Sequence, residues 1–289
     1  MAKYILLRLL ATTLALALYS APVAASTIWA AAGDDANGGT LLAKNRDGKS
    51  DHRQILIHSK PGEGFSWFGL YSTGKEDPGL NAGVNEKGLS IVSTAASSIP
   101  AKQRVRQPGK HSVISQILSR FASVDELAAN ADHVFSGSRA VSLLVADHQQ
   151  VLMAEIGLGG EFVFHTVDKG TLAHTNHYLN KDLAVFNTAP NPGSLVRLAR
   201  INVLLKKTAS PYTLSEFIAM SRDRHDGPEN SLWRTGKERT LSSWIIQTPA
   251  SGAAKLRVVI ANPRESEKTF TYTLNDIFWK SLSGNPQTK

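Results

Sequence analysis

Beyond residue 25 the apolar positions change period along the chain, and the change predicts strands first, helices in the middle and strands last. Residues 27–32 are a short apolar run. The turn-forming stretch Gly33-Asp34-Asp35-Ala36-Asn37-Gly38-Gly39 follows, and the apolar run resumes over 40–45, which predicts a hairpin. Residues 54–58 and 65–71 read as further strands, followed by a loop through Pro78 and Gly79. Residues 83–88 read as a turn and 89–94 as another strand. Val113, Ile114, Ile117, Leu118 and Phe121 have helical spacing, and Ser123-Val124-Asp125-Glu126 is a capping box before another helix. Residues 140–146, 151–156 and 161–167 predict a meander, with Gly157-Leu158-Gly159-Gly160 as a hairpin turn. A helix is expected over 195–205. A second capping box at 213–216 opens a helix to Met220, and 244–247, 256–261 and 269–273 read as closing strands. With no internal repeat or linker, residues 26–289 are expected to form one α+β domain, sheets inside and helices outside.

The first 25 residues have a different pattern. Lys3 and Arg8 precede a largely apolar run of 11 residues, 9–19, and then Ser20-Ala21-Pro22-Val23-Ala24-Ala25. Small residues at Val23 and Ala25 fit cleavage after Ala25, as in a secretory leader, and the run is short for a membrane span. The mature protein is therefore expected in the periplasm or secreted, with no stable membrane insertion.

Composition narrows the chemistry. The 289 residues are 42% hydrophobic and 19% charged, as expected of a folded globular chain, and contain no cysteine. Disulfides, thiolate metal sites and a cysteine nucleophile are excluded. The formal charge of +8 falls to +6 when Lys3 and Arg8 leave with the leader. The remaining basic residues are scattered among acids without basic–aromatic alternation, so no nucleic-acid partner is expected. His174 and His177 lack the further ligands of a metal site and read as structural histidines at a strand end. Arg224-His225-Asp226 reads as a polar loop, since no Gly-x-Ser-x-Gly elbow is present. No metal or cofactor is called for.

Cleavage after Ala25 would make Ser26 residue one. An N-terminal serine carries its own base, because an α-amine titrates near ~7.7–8.0 and can accept the hydroxyl proton during attack on a carbonyl. Further along come Lys44-Asn45-Arg46-Asp47, Gly83-Val84-Asn85-Glu86-Lys87-Gly88-Leu89, His174-Thr175-Asn176-His177-Tyr178 and Val196-Arg197-Leu198-Ala199-Arg200.

This ordered set, from Ser26 to about Phe270, resembles the linear-amide C–N hydrolases of the N-terminal-nucleophile superfamily. That group includes bile-salt hydrolases, penicillin V acylases and acyl-CoA:6-aminopenicillanate acyltransferase-like proteins, and the last branch is the most similar. The resemblance implies a four-layer αββα sandwich with the nucleophile at the start of a central strand. It gives Ser26 the nucleophile position, Asp47 the carboxylate that binds the N-terminal amine, and Lys44 the place of an arginine that tunes the nucleophile. Asn176 and the backbone N–H of about Ala95 take the two oxyanion donors, and Arg197 the active-site arginine of a helix. It also places an acyl pocket around Phe65, Trp67, Phe68 and Tyr71, for which core packing is the other reading.

The close relatives carry cysteine where this chain has Ser26. A serine enzyme, a replaced nucleophile and a relative without catalysis are the three explanations. The expected activity is hydrolysis of a small-molecule linear amide through an acyl-enzyme on Ser26. An acyltransferase or a non-catalytic binding protein on the same fold are the alternatives, and a homo-oligomer stays open.

Overall fold

The computed structural model describes residues 25–49, 51–74, 78–109, 113–189 and 191–282. The leader up to Ala24 lies outside these residues. Two antiparallel sheets face each other. The six-stranded sheet runs β10-β1-β2-β11-β12-β13, with β1 (Ser26–Gly33), β2 (Gly39–Gly48), β10 (Gly170–His174), β11 (Arg239–Thr248), β12 (Ala254–Ile260) and β13 (Lys268–Leu274). The seven-stranded sheet is a meander in sequence order: β3 (Arg53–Ser59), β4 (Trp67–Thr73), β5 (Gly79–Asn85), β6 (Ser90–Ala95), β7 (Val141–Ala146), β8 (Val151–Ile156) and β9 (Phe162–Val167).

Helices cover the outer faces. On the seven-stranded sheet, α1 (Ala101–Arg106), α2 (Val113–Arg120), α3 (Val124–Ala129) and α4 (Ala131–Phe135) follow β6 in the chain. Residues of the last three pack with Ile91, Leu143, Val145 and Leu152. On the six-stranded sheet, α5 (Pro192–Lys207) and α6 (Leu214–Ser221) pack over Trp29, Leu41, Ala43 and Ile245. The short α7 (Gly227–Asn230) follows, and α8 (Asp276–Leu282) closes the described chain. Between the sheets lies a third apolar cluster with Ile28, Leu42, Phe68, Val92, Leu144 and Trp244. The layer order is therefore helix, sheet, sheet, helix, the αββα sandwich that the resemblance implied.

Strand alternation assigns each side chain to a face. In β1, Ile28, Ala30 and Ala32 join the inter-sheet cluster while Trp29 and Ala31 lie under the helices. Leu42 in β2 and Trp244 and Ile246 in β11 likewise face inward. Ser26, Lys44, Arg46 and Ser242 share that inner parity, so the inner face turns polar at one end of the sheet.

One of the two expected capping boxes closes: Thr213 and Glu216 cap each other reciprocally. At the other, Ser123 Oγ accepts from Glu126 N, but the Glu126 carboxylate accepts from Ala122 N and not from Ser123 N, so only half of the box forms. Two strands differ from the sequence reading. β5 occupies residues read as loop and turn, because its run Gly-Leu-Asn-Ala-Gly-Val-Asn is poor in strand formers and pairs with β4 across a bulge at Leu70/Tyr71. β10 was not expected, and its five residues pair with β1. Trp67 and Phe68 separate onto opposite faces. Phe68 packs against Trp244, Tyr272 and Phe278 between the sheets, whereas Trp67 joins the cluster beneath α2.

Candidate active site

Ser26 opens β1 and is buried, as is Ala25 before it. Its backbone is fixed from both sides. Ser26 N–H donates to Asn176 Oδ1 at 3.0 Å, and Arg197 Nη1 donates to Ser26 O at 2.7 Å and to Thr27 Oγ1 at 2.9 Å. Arg197 Nη2 donates to Asn176 Oδ1 at 3.0 Å. Asn176 Nδ2 donates in turn to the Ala95 carbonyl at 3.0 Å, so four of the expected residues form one connected set.

The local sequence explains how each residue is held. Asn176 follows β10, where β1 pairing ends at Ile28↔His174 and the chain turns away. Asn191 caps α5, and Pro192 starts it, which sets Arg197 on the second turn against the β1 terminus. The Arg197 guanidinium is fully buried. Burial draws its pKa down to about 10; nearby Asp47 opposes that shift and Arg234 adds to it. Ala95 ends β6, opposite Val141 of β7. Its carbonyl accepts from Asn176 Nδ2, which joins the seven-stranded sheet to the residues around the start of β1.

Lys44 and Asp47 lie on β2 beside β1. Lys44 is buried on the inner face and its ammonium donates to the Ser93 carbonyl. Asp47 reaches the β1 terminus through its backbone, whose N–H donates to the Ala25 carbonyl at 2.8 Å. Its carboxylate accepts from Thr240 Oγ1 at 2.8 Å and lies 3.6 Å from Arg234 Nη1. The second carboxylate oxygen is buried without a hydrogen-bond partner among the described residues. In the chain that retains Ala25, Ser26 N is thus bound by Asn176 and not by the Asp47 carboxylate.

Two supporting groups were not anticipated. Arg234 is buried between Asp47 and Glu238, with Glu238 Oε2 at 2.5 Å. Burial draws its pKa down, but Asp47 and Glu238 outweigh that and hold it above its ordinary value. The spacing Arg234-x-x-x-Glu238 was the available signal. Glu155 on β8 faces His174 across the sheets, Oε1 to Nε2 at 2.8 Å. It also accepts from the N–H groups of Leu179 (2.6 Å) and Asn180 (2.8 Å). Burial pushes the Glu155 carboxyl up, yet His174 and the two N–H groups hold it below its usual value. A single carboxylate therefore grips both ends of the segment that carries Asn176.

His174 and His177 have protein partners: Glu155 and the Thr175 carbonyl for the first, Ser194 Oγ at 2.8 Å for the second. Among the described residues no cluster of metal-ligating side chains is present. Among the described residues no helix is long and apolar enough to cross a membrane. Two surface cavities, of about 490 and 510 Å³, are lined by other residues than this set.

The structure is similar to two solved structures of the conjugated bile acid hydrolase from Clostridium perfringens, one a cysteine-to-alanine mutant and one an arginine-to-leucine variant. They are 12% and 13% identical, with TM-scores of 0.47 and 0.49, each covering 86% of this chain and 98% of the other. No curated protein sequence matches the chain. The model of one family matches residues 34–265, a span that holds Lys44, Asp47, Ala95, Asn176 and Arg197 and begins after Ser26. That match makes this chain a member of the acyl-coenzyme A:6-aminopenicillanic acid acyl-transferase family.

Proposed function

We propose that the protein is an exported amidohydrolase that cleaves a linear amide through an acyl-enzyme on Ser26, after a leader of residues 1–25 is removed. The observation that carries this reading is the convergence of Asn176 and Arg197 on the start of β1, with Ala95 joined to it through Asn176. The family membership supports acyl transfer as the reaction class.

Release of Ala25 would turn the Ser26 peptide nitrogen into a free amine. Asn176 Oδ1, which already accepts from Ser26 N, is its acceptor, and the Asp47 carboxylate, on the strand beside β1 and without a hydrogen bond to its second oxygen among the described residues, is the counter-charge in this reading. The amine then takes the Ser26 hydroxyl proton as Oγ bonds to the substrate carbonyl carbon. The developing oxyanion is met by the Asn176 side-chain amide and a backbone N–H at Ala95, each such donor being worth roughly 10²–10³ in rate. Collapse breaks the C–N bond, and the leaving amine takes the proton from the ammonium. Water, deprotonated by the same amine, hydrolyses the ester and restores Ser26. The family's name favours a second resolution of the same ester, in which an acceptor amine replaces water.

The test is the N-terminal sequence and intact mass of the exported protein, paired with an amidase screen of wild type and Ser26→Ala. A chain beginning at Ser26, with turnover abolished in the variant, is expected. A chain that keeps Ala25, or a Ser26→Ala protein of undiminished turnover, would refute the mechanism.

A further inference from the structure

Three consecutive residues of the Asn176 segment bond to one residue of α5. Ser194 Oγ, in the first turn of that helix, accepts from the Asn176 backbone N–H at 2.9 Å. It also lies 3.0 Å from Thr175 Oγ1 and 2.8 Å from His177 Nδ1. The Thr175 hydroxyl donates to the Ser194 carbonyl at 3.0 Å. All four residues are buried. Ser194 is fixed in turn by its own N–H, which donates to the Asn191 carbonyl at 2.9 Å.

A serine beside an imidazole can be a nucleophile and its base, but the bonds here argue for a hold. A hydroxyl has one hydrogen and two lone pairs. One lone pair of Ser194 is taken by Asn176 N–H. The hydrogen goes to His177 Nδ1 or to Thr175 Oγ1, according to which ring nitrogen carries a proton. In either arrangement the bond from Asn176 is kept.

Ser194 and Arg197 are three residues apart and so lie on one face of α5. Arg197 Nη2 takes the other end of the asparagine, donating to Oδ1 at 3.0 Å. Asn176 is thus gripped by backbone and side chain from the same helix, in a closed ring that fixes its amide plane. An asparagine amide has two N–H donors. Among the described residues only the Ala95 carbonyl accepts from Nδ2. The second N–H is the donor that the proposed mechanism uses, and its direction is set once the amide plane is fixed.

We propose that Ser194 is a positioning residue, which holds the Asn176 backbone to α5 and thereby aims the second Nδ2–H at the developing oxyanion. The inference rests on the amidohydrolase reading for its kinetic half, and its structural half stands without turnover.

The kinetic arm is a double-mutant cycle on the exported protein, with the p-nitroanilide that wild type turns over fastest. Ser194→Ala should lower kcat about 10- to 100-fold, as a small misplacement of a catalytic group does, and leave KM within about twofold of wild type. Ser194→Cys fills the same space with a weak acceptor and should show the same loss, which keeps the test decisive if the alanine variant does not fold. On an Asn176→Ala background Ser194→Ala should lower kcat no further, because groups that act as a unit are not additive. Fully additive losses, or a kcat unchanged in both Ser194 variants, overturn the proposal. The exchange arm follows backbone amide hydrogens without substrate. In the Ser194 variants the Asn176 amide should exchange about 3- to 10-fold faster, the worth of one hydrogen bond. The Asn180 amide, bonded to Glu155 Oε2, should keep its wild-type rate. Equal acceleration of both amides, or of neither, overturns the hold. Selective acceleration at Asn176 in a protein that turns over no amide overturns the hydrolase reading and leaves the hold standing.

Discussion

The space between the two sheets has two ends with opposite chemistry. At one end Phe68, Leu144, Trp244, Ile246 and Leu256 interlock, with Tyr272 and Phe278 packed edge-on to Phe68. At the other, Ser26, Lys44, Arg46 and His174 from one sheet meet Gln54, Ser72, Thr94 and Glu155 from the other, all buried. The same strands build both ends. β1 is apolar inward from Ile28 to Ala32 and polar at Ser26, and β2 is apolar at Leu42 and polar at Lys44 and Arg46. Burying apolar surface stabilises by about 25 cal/mol per Å² without any need for partners, whereas each buried polar group stabilises little even when paired. One end therefore supplies stability and the other holds groups in fixed positions for chemistry. Natural folds concentrate their departures from simple packing rules at such sites.

Removing the Phe68 ring gives the largest expected effect and tests this division directly. Phe68→Ala should cost about 3–5 kcal/mol and lower Tm on the order of 10 °C, because three aromatic partners lose their contact surface. The kcat of the folded fraction should be unchanged. A kcat that falls in parallel with stability would mean that the two ends are mechanically coupled.

The legibility of the sequence follows the same division. The β1–β2 hairpin, the meander of β7 to β9, α2, α5 and the capping box at 213–216 carry strong local signals, and the structure has them. β5 and β10 are formed by pairing with neighbours rather than by their own composition, so periodicity did not reveal them. At the site, ordered motifs pointed to Asn176 and Arg197, which the fold brings onto the β1 terminus, and to Ala95, which it joins to Asn176. Glu155 gave no such signal, because an acidic residue in an apolar strand has meaning only once His174 stands opposite. Arg46 sat inside a quoted motif, and only the register reveals that it faces Ser26.

At the polar end Asn176→Ala should reverse the pattern. In the proposed mechanism Asn176 is an oxyanion donor, so its loss is expected to lower kcat about 10²–10³-fold. Stability should fall by about 1–3 kcal/mol, since Ser26 N–H and Arg197 Nη2 both lose the Asn176 oxygen. Steady-state kinetics beside thermal unfolding measures both. A variant of normal kcat would remove Asn176 from the mechanism.

Glu155→Gln acts one step further out. A glutamine side chain offers one acceptor oxygen where His174, Leu179 and Asn180 use two, so the Asn176 segment should loosen and kcat fall about ten- to a hundredfold. The variant should also change acid stability. A carboxyl held below its ordinary 4.5 when folded binds fewer protons than in the unfolded chain. Its contribution is complete above that ordinary value and is lost as pH falls through the lower folded value. Tm measured against pH should therefore decline less steeply below about 4.5 in Glu155→Gln than in wild type. Parallel curves would show that other carboxylates govern acid unfolding.

The smallest effect belongs to a residue outside both ends. Thr213 caps α6 through Glu216 N–H, and Glu216 returns the bond to the Thr213 backbone. Thr213→Ala removes one half of that exchange and should cost about 1 kcal/mol, or about 2–4 °C in Tm. The other end of α6 is nearer to the chemistry. There the Ser221 hydroxyl and carbonyl hold the Asn45 amide, between Lys44 and Arg46 on β2. If the loss of the cap frays only the first turn, kcat and KM both stay at wild-type values. If the whole helix shifts, Asn45 moves with it and kcat and KM change before stability does. Measuring both on Thr213→Ala thus asks whether β2 is held by its two neighbouring strands alone or also by the helix layer above it.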